Sequence, residues 1–172
     1  PVGPYGVLGG FSDPGILAVY QDQLYMGGMI DINAGNPGHA IMRWDGSAWH
    51  AVGNGVQDET DGYQYLITVW DMQVHNGYLY VGGGFDFAGH VPAHRTAKWD
   101  GHRWCSVGGT FAEDLVNALS FYHDTLFVAC GIEADGQPVN HVARFIAPEE
   151  EDSCGVALDV GITELGQSER SE

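Results

Sequence analysis

Short apolar runs, separated by Gly, Asp, Asn and Pro, fill most of this chain. Ile16–Tyr20 and Leu24–Gly28 are joined through Gln21-Asp22-Gln23, and Ile41–Trp44 and Trp49–Val52 through Asp45-Gly46. Runs of this length between turn residues predict β-strands joined by hairpins. The order returns in Val69–Val74, Asn76-Gly77, Leu79–Gly83, Thr96–Trp99, Asp100-Gly101 and Trp104–Val107. A third set comprises Val116–Phe121, His123-Asp124, Leu126–Cys130 and Val142–Ile146. Pro1–Phe11 reads as one strand, Ser12–Gly15 as a turn, and Asp31–Gly38, Asp86–Pro92 and Glu133–Pro138 as loops. No stretch combines helical spacing with caps.

Repeats organise the pattern. Leu24 to Leu79, Trp44 to Trp99 and Trp49 to Trp104 are each 55 residues apart. Leu126–Cys130 and Ala143–Phe145 follow the middle copy at an offset of 46 or 47. Tyr5–Gly10 matches the end of a repeat, with Tyr5 where Trp49 and Trp104 stand. Four strands in 45–55 residues is the size of a propeller blade, and one blade cannot bury both faces, so blades stack. The expected fold is all-β: a partial β-propeller of four-stranded antiparallel blades, two full and one split or incomplete. Residues 1–11 are expected to be the last strand of a preceding blade, 16–56 and 67–111 full blades, and 115–146 an incomplete one. Together they make a repeat region of residues 1–148, followed by an acidic linker or tail at 149–172.

Two full units and part of a third do not close a ring, since propellers have about four to eight blades. The leading strand could complete the third unit. The rest of a longer propeller, or a second chain, would be needed to complete the ring. The chain is therefore expected to be a mature form or a fragment.

Composition narrows the function. Lys and Arg number 6 against 23 Asp and Glu, a net charge of −17, and there is one lysine, Lys98. Phosphate-backbone binding needs clustered cations, so nucleic acid and anionic membrane partners are not expected. No apolar run is long enough for a membrane-spanning helix. The acidity fits solubility outside a cell, with calcium as the sharper alternative. The three cysteines, Cys105, Cys130 and Cys154, allow one disulfide plus a thiol in three pairings, and Cys154 is the candidate to tie the tail to the body.

The string LYVGGxFxxAG…AxWDGxxWxxVG resembles the kelch-like, galactose-oxidase-type propeller repeat of secreted bacterial proteins and of fungal cortical-marker proteins. The resemblance covers about residues 5–146 and implies the fold; propellers host unrelated functions. It carries over no copper ligands. The tail segment CGVALDVGITEL resembles the spacer before the C-terminal sorting domain of type IX secretion cargo in Bacteroidetes-like bacteria, which implies export to the cell surface or beyond.

Candidate sites follow from the repeat. His39 and His94 stand five residues before Trp44 and Trp99, with Asn140 in the third copy. They could line an axis and bind a metal, but they read more plainly as strand-end caps. Arg43, Lys98 and Arg144 align, and suit ion pairing or stacking over an aromatic. Trp44, Trp99, Trp49 and Trp104 should pack between units. Asp31, Asp86 and Glu133 align after the glycines and are weak calcium candidates, with turn chemistry as the plainer role. The inserted loop holding Asp58, Glu59, Asp61, Tyr63 and Tyr65 is the best candidate for ligand binding. Acids beside aromatics there suit sugar rings, and inserted loops on rigid scaffolds commonly carry binding. No G-x-S-x-G or H-E-x-x-H occurs. The expected function is a noncatalytic extracellular or cell-surface module for adhesion or for glycan or protein binding, exported as secretion cargo. The alternative is the C-terminal part of a secreted propeller-containing hydrolase or oxidase.

Overall fold

The computed structural model describes residues 13–31, 35–58, 67–108, 111 and 115–145, and the backbone strand at 162–164. Every element among them is a β-strand, and all pairings are antiparallel. The first sheet runs β1 (Asp13–Tyr20), β2 (Gln23–Met29), β3 (Ile41–Trp44) and β4 (Trp49–Ala51), side by side in chain order. A short strand, β5 (Val56–Gln57), follows it.

The second sheet holds β6 (Thr68–His75), β7 (Tyr78–Gly84), β10 (Thr96–Trp99) and β11 (Trp104–Ser106). The small hairpin β8 (Phe87–Ala88) and β9 (Val91–Pro92) lies between β7 and β10 in sequence, and β5 pairs with β8. The third sheet is β12 (Ala118–Tyr122), β13 (Thr125–Ala129), β16 (Val142–Phe145) and β17 (Ile162–Glu164). The hairpin β14 (Glu133–Ala134) and β15 (Gln137–Pro138) stands where β8 and β9 do in the second unit.

Backbone hydrogen bonds carry the repeat down to single atoms. Gly28 N donates to Ala40 O at 3.1 Å and Ala40 N to Ile30 O at 3.0 Å. Fifty-five residues on, Gly83 N donates to Arg95 O at 3.0 Å and Arg95 N to Phe85 O at 2.8 Å. Ala40, Arg95 and His141, each four residues before the end of a third strand, share a left-handed backbone. The first hairpin of each sheet turns on two residues of positive φ: Gln21-Asp22, Asn76-Gly77 and His123-Asp124. Two consecutive left-handed residues give the turn whose twist matches paired strands.

Stacking follows from alternation along the strands. In the first sheet Ile16, Ala18, Tyr20, Tyr25 and Ile41 point to one side, where they meet Met72, Leu79, Val81, Ala97, Trp99 and Trp104 of the second. The far side of the second sheet offers Tyr80 to Leu119, Leu126, Val128, Ala143 and Phe145 of the third. Each joint thus places the trailing face of one sheet on the leading face of the next. Glycine lets both joints close: a Cβ on Gly27 would lie 2.8 Å from Val69 Cγ1, and one on Gly82 would lie 2.6 Å from Val116 Cγ1. Those positions are 55 residues apart.

Four sequence expectations need correction. The third unit is not short of a strand, because Ile162–Glu164 pairs with β16 in the register Phe145↔Ile162. That edge is therefore not left for the leading strand, and residues 1–11 lie outside the described residues. Within the stretch read as an acidic tail, three residues complete a sheet; a strand so short leaves no alternation to detect. Asp86–Pro92 and Glu133–Pro138 are not open loops but contain hairpins. Asp13–Gly15, read as a turn, begins β1. Its register shifts between Pro14 and Ile16, a bulge that accommodates the proline near the strand end.

Candidate binding surface

The inserted loop is anchored at both ends. Val56 and Ile67 are buried in the core, and β5 is clamped to the β8–β9 hairpin. Asp86 N donates to Gln57 O at 2.8 Å, and Asn54 Nδ2 lies 2.8 Å from His90 Nε2. Asp58 is half-buried at the start of the excursion. Glu59, Asp61, Tyr63 and Tyr65 lie outside the described residues.

The chain returns from this loop into β6, where the register shifts between Val69 and Asp71. Trp70 is the extra residue, and the bulge turns its indole outward, leaving it 45% exposed. The neighbouring Asp71 carboxylate accepts from Met72 N at 2.7 Å and, across the joint, from Leu119 N at 2.7 Å. The bulge is thereby fixed to the third sheet. The equivalent position in the first sheet is Gly15, so Trp70 is not part of the repeat's packing. Sequence reasoning counts it as one apolar residue of a strand. The available signal is a tryptophan out of phase with the core positions Val69 and Met72.

The repeat-equivalent residues divide by environment. Trp44 and Trp49 pair with ring centroids 5.5 Å apart, and Trp99 and Trp104 at 5.1 Å. The second pair is buried against the first sheet, with Trp104 Nε1 donating to Val52 O at 3.0 Å, while the first pair is only half-buried. Arg43 donates from Nη1 to Gln23 Oε1 at 2.7 Å, and Lys98, buried, holds Nζ 4.4 Å over the Tyr78 ring. Arg144 occupies the same register position on β16, half-buried.

His39, His94 and Asn140 do not share surroundings. His39 is half-buried and burial holds its pKa below the ordinary imidazole value, with Asp31 acting in opposition. His94 and Asn140 are exposed. Of the calcium candidates, Asp86 carries an ion pair to Arg95 at 3.0 Å, Asp31 O accepts from Asn36 Nδ2 at 2.7 Å, and Glu133 is exposed on the β14–β15 hairpin. Among the described residues no three His, Cys, Asp or Glu side chains gather as a cation site would require.

The Trp-Asp-Gly turns hold two low-pKa carboxylates. Asp45 accepts from the backbone amides of Ala48 and Ser47, which pull its pKa far below the usual range. At Asp100 burial works upward, but the amides of Arg103 and His102, with the Arg103 side chain, outweigh it and hold the carboxyl low. Asp100 is satisfied by Arg103 and His102 around its own turn, and Asp45 also meets His50 Nε2 of β4 at 2.6 Å. Cys105, on β11, is disulfide-bonded, Cys130 is a buried thiol, and Cys154 lies outside the described residues. No protein-family model and no curated protein matches this sequence.

Proposed function

We propose that the chain is a set of β-propeller blades serving as a noncatalytic binding module outside the cell or on its surface, exported as secretion cargo. In this reading the blades are a rigid stand, and the ligand, a glycan or a protein, meets the inserted loop with Asp58 and the outward-turned Trp70. The ring is completed by further blades, from the rest of the propeller or a second chain. The observation that carries the reading is Trp70: an indole placed outside the repeat's packing by a bulge, on the strand to which the inserted loop returns. Indole faces give large contact area with few rotamers to freeze, and bulges re-aim side chains beside functional sites.

The disulfide at Cys105 supports an oxidising compartment, where such bonds persist. The net charge of −17 suits solubility there and disfavours polyanion ligands.

A glycan array probed with and without Ca²⁺ tests the ligand half. The expected result is a glycan signal that Trp70→Ala weakens by about tenfold or more, as loss of one aromatic stacking contact implies. Absence of signal in both conditions removes the glycan reading, and an unchanged signal for the variant removes Trp70 from the site.

A further inference from the structure

One position escapes the repeat's packing in all three sheets. Gly15 is the extra residue of the β1 bulge, and Trp70 is that of the β6 bulge, 55 residues on. The matching registers Asp71↔Gly82 and Ala118↔Ala129 make Asn117 the third member. In the second and third sheets its flanks are alike: Val69 and Val116 are fully buried, and so are Met72 and Leu119. The position itself is open. Gly15, Trp70 and Asn117 are all exposed, and a Cβ on Gly15 would have no atom within 4 Å. Packing leaves the residue there free to vary, and the three copies carry bare backbone, an indole and an amide.

The three bulges also stand side by side. β1, β6 and β12 are each the end strand of their sheet, and β1 packs on β6 and β6 on β12. A Cβ on Gly27 would touch both Ile16 and Val69, the chain neighbours of Gly15 and Trp70. Val116 N donates to Gly83 O at 3.2 Å, and Gly83 is the strand partner of Val69. Leu119 N donates to the Asp71 carboxylate at 2.7 Å. Asn117 is thereby pinned beside Trp70 from both of its own flanks.

We infer that the row Gly15, Trp70 and Asn117 is a subsite for a neutral oligosaccharide lying across the three end strands. Trp70 stacks on the apolar face of one sugar ring. The Asn117 amide meets that ring's hydroxyls, because an amide offers a donor and an acceptor and a hydroxyl uses both. Bare backbone at Gly15 leaves room for the next ring. The net charge of −17 disfavours sugars that carry carboxylates. This subsite belongs to the binding-module reading and rests on it; it takes a glycan rather than a protein, and it adds Asn117 and Gly15 as specificity-determining positions.

Lactose, maltose and cellobiose, titrated into the isotope-labelled 172-residue chain, are the neutral probes, with sialyllactose as the acidic one. The magnetic-resonance peaks of the Trp70 indole N–H and the Asn117 side-chain amide should move together with at least one neutral disaccharide. Asn117→Ala should weaken that sugar by about threefold to tenfold, as loss of a neutral hydrogen-bonding side chain implies. Gly15→Leu meets open space, so its melting should match the wild type. It should nevertheless weaken the disaccharide severalfold while leaving the corresponding methyl monosaccharide unaffected. Four results would each overturn the subsite: no movement of either peak with any of the sugars, movement of Trp70 without Asn117, a response to sialyllactose alone, or wild-type affinity in both variants. Movement of Trp70 without Asn117 leaves the loop reading standing, whereas a glycan-array signal indifferent to Trp70→Ala removes that reading and the subsite with it.

Discussion

The two tryptophan pairs are the same local object in two different places. Trp44 faces Trp49 and Trp99 faces Trp104 across identical strand pairings, tilted by 54° and 57°. Only the second pair is sealed, under the first sheet and over Gly53, where a Cβ would come within 2.9 Å of Trp104 Nε1. The repeat therefore fixes geometry within a sheet, and the neighbouring sheet fixes burial. A residue's cost of removal should track its place in the stack rather than its place in the repeat.

The largest break in that comparison should come from the tryptophans themselves. Trp99→Ala should cost about 3–5 kcal/mol, as truncation of a buried aromatic does, and Trp44→Ala about 1–2 kcal/mol because part of it already meets water. Urea unfolding of both variants measures the ratio, and equal losses would sink the stacking argument. A middle-sized effect is expected at the glycines. Gly82→Val should destabilise by about 1–3 kcal/mol through overpacking against Val116 and Leu119, while Ala129→Val at the same repeat position should stay within about 0.5 kcal/mol for the monomer.

Asp71→Ala should cost about 1–3 kcal/mol by orphaning the Met72 and Leu119 amides, and should loosen the joint between the second and third sheets. Amide exchange at Leu119 reads this directly. The smallest effect belongs to His39. Burial lowers its folded pKa, so the unfolded chain binds its proton more readily. Stability at this residue is full above the ordinary value near ~6.5 and falls as pH drops from there toward the folded pKa. Melting temperature measured from pH 7.5 to 5.5 should decline slightly in the wild type, and His39→Gln should flatten that portion of the decline.

Much of the stack was legible because its signals are local. Asn76-Gly77 and Asp45-Gly46 specify turns within two residues, and the tryptophans recur at one offset. What escaped was pairing between distant segments. Val56–Gln57 is a strand only because Phe87–Ala88 lies beside it, and Ile162–Glu164 only because β16 offers an edge. Two or three residues cannot display a period. Trp70 escaped for the opposite reason: its run reads as an ordinary strand, and the register shift that turns it outward is visible only against β7. Within the candidate loop, sequence supplied Asp58 and the aromatic neighbours but had no means of marking the indole at its far end.

The chain's only lysine is also one of its best-shielded cations, 6% exposed with its amine over Tyr78. Acylating reagents that seek side-chain amines will therefore find their target only while the face it shares with Tyr80, turned toward the third sheet, is uncovered. The rate of that labelling is a clock for the opening of that face, supplied by the protein without any engineered probe.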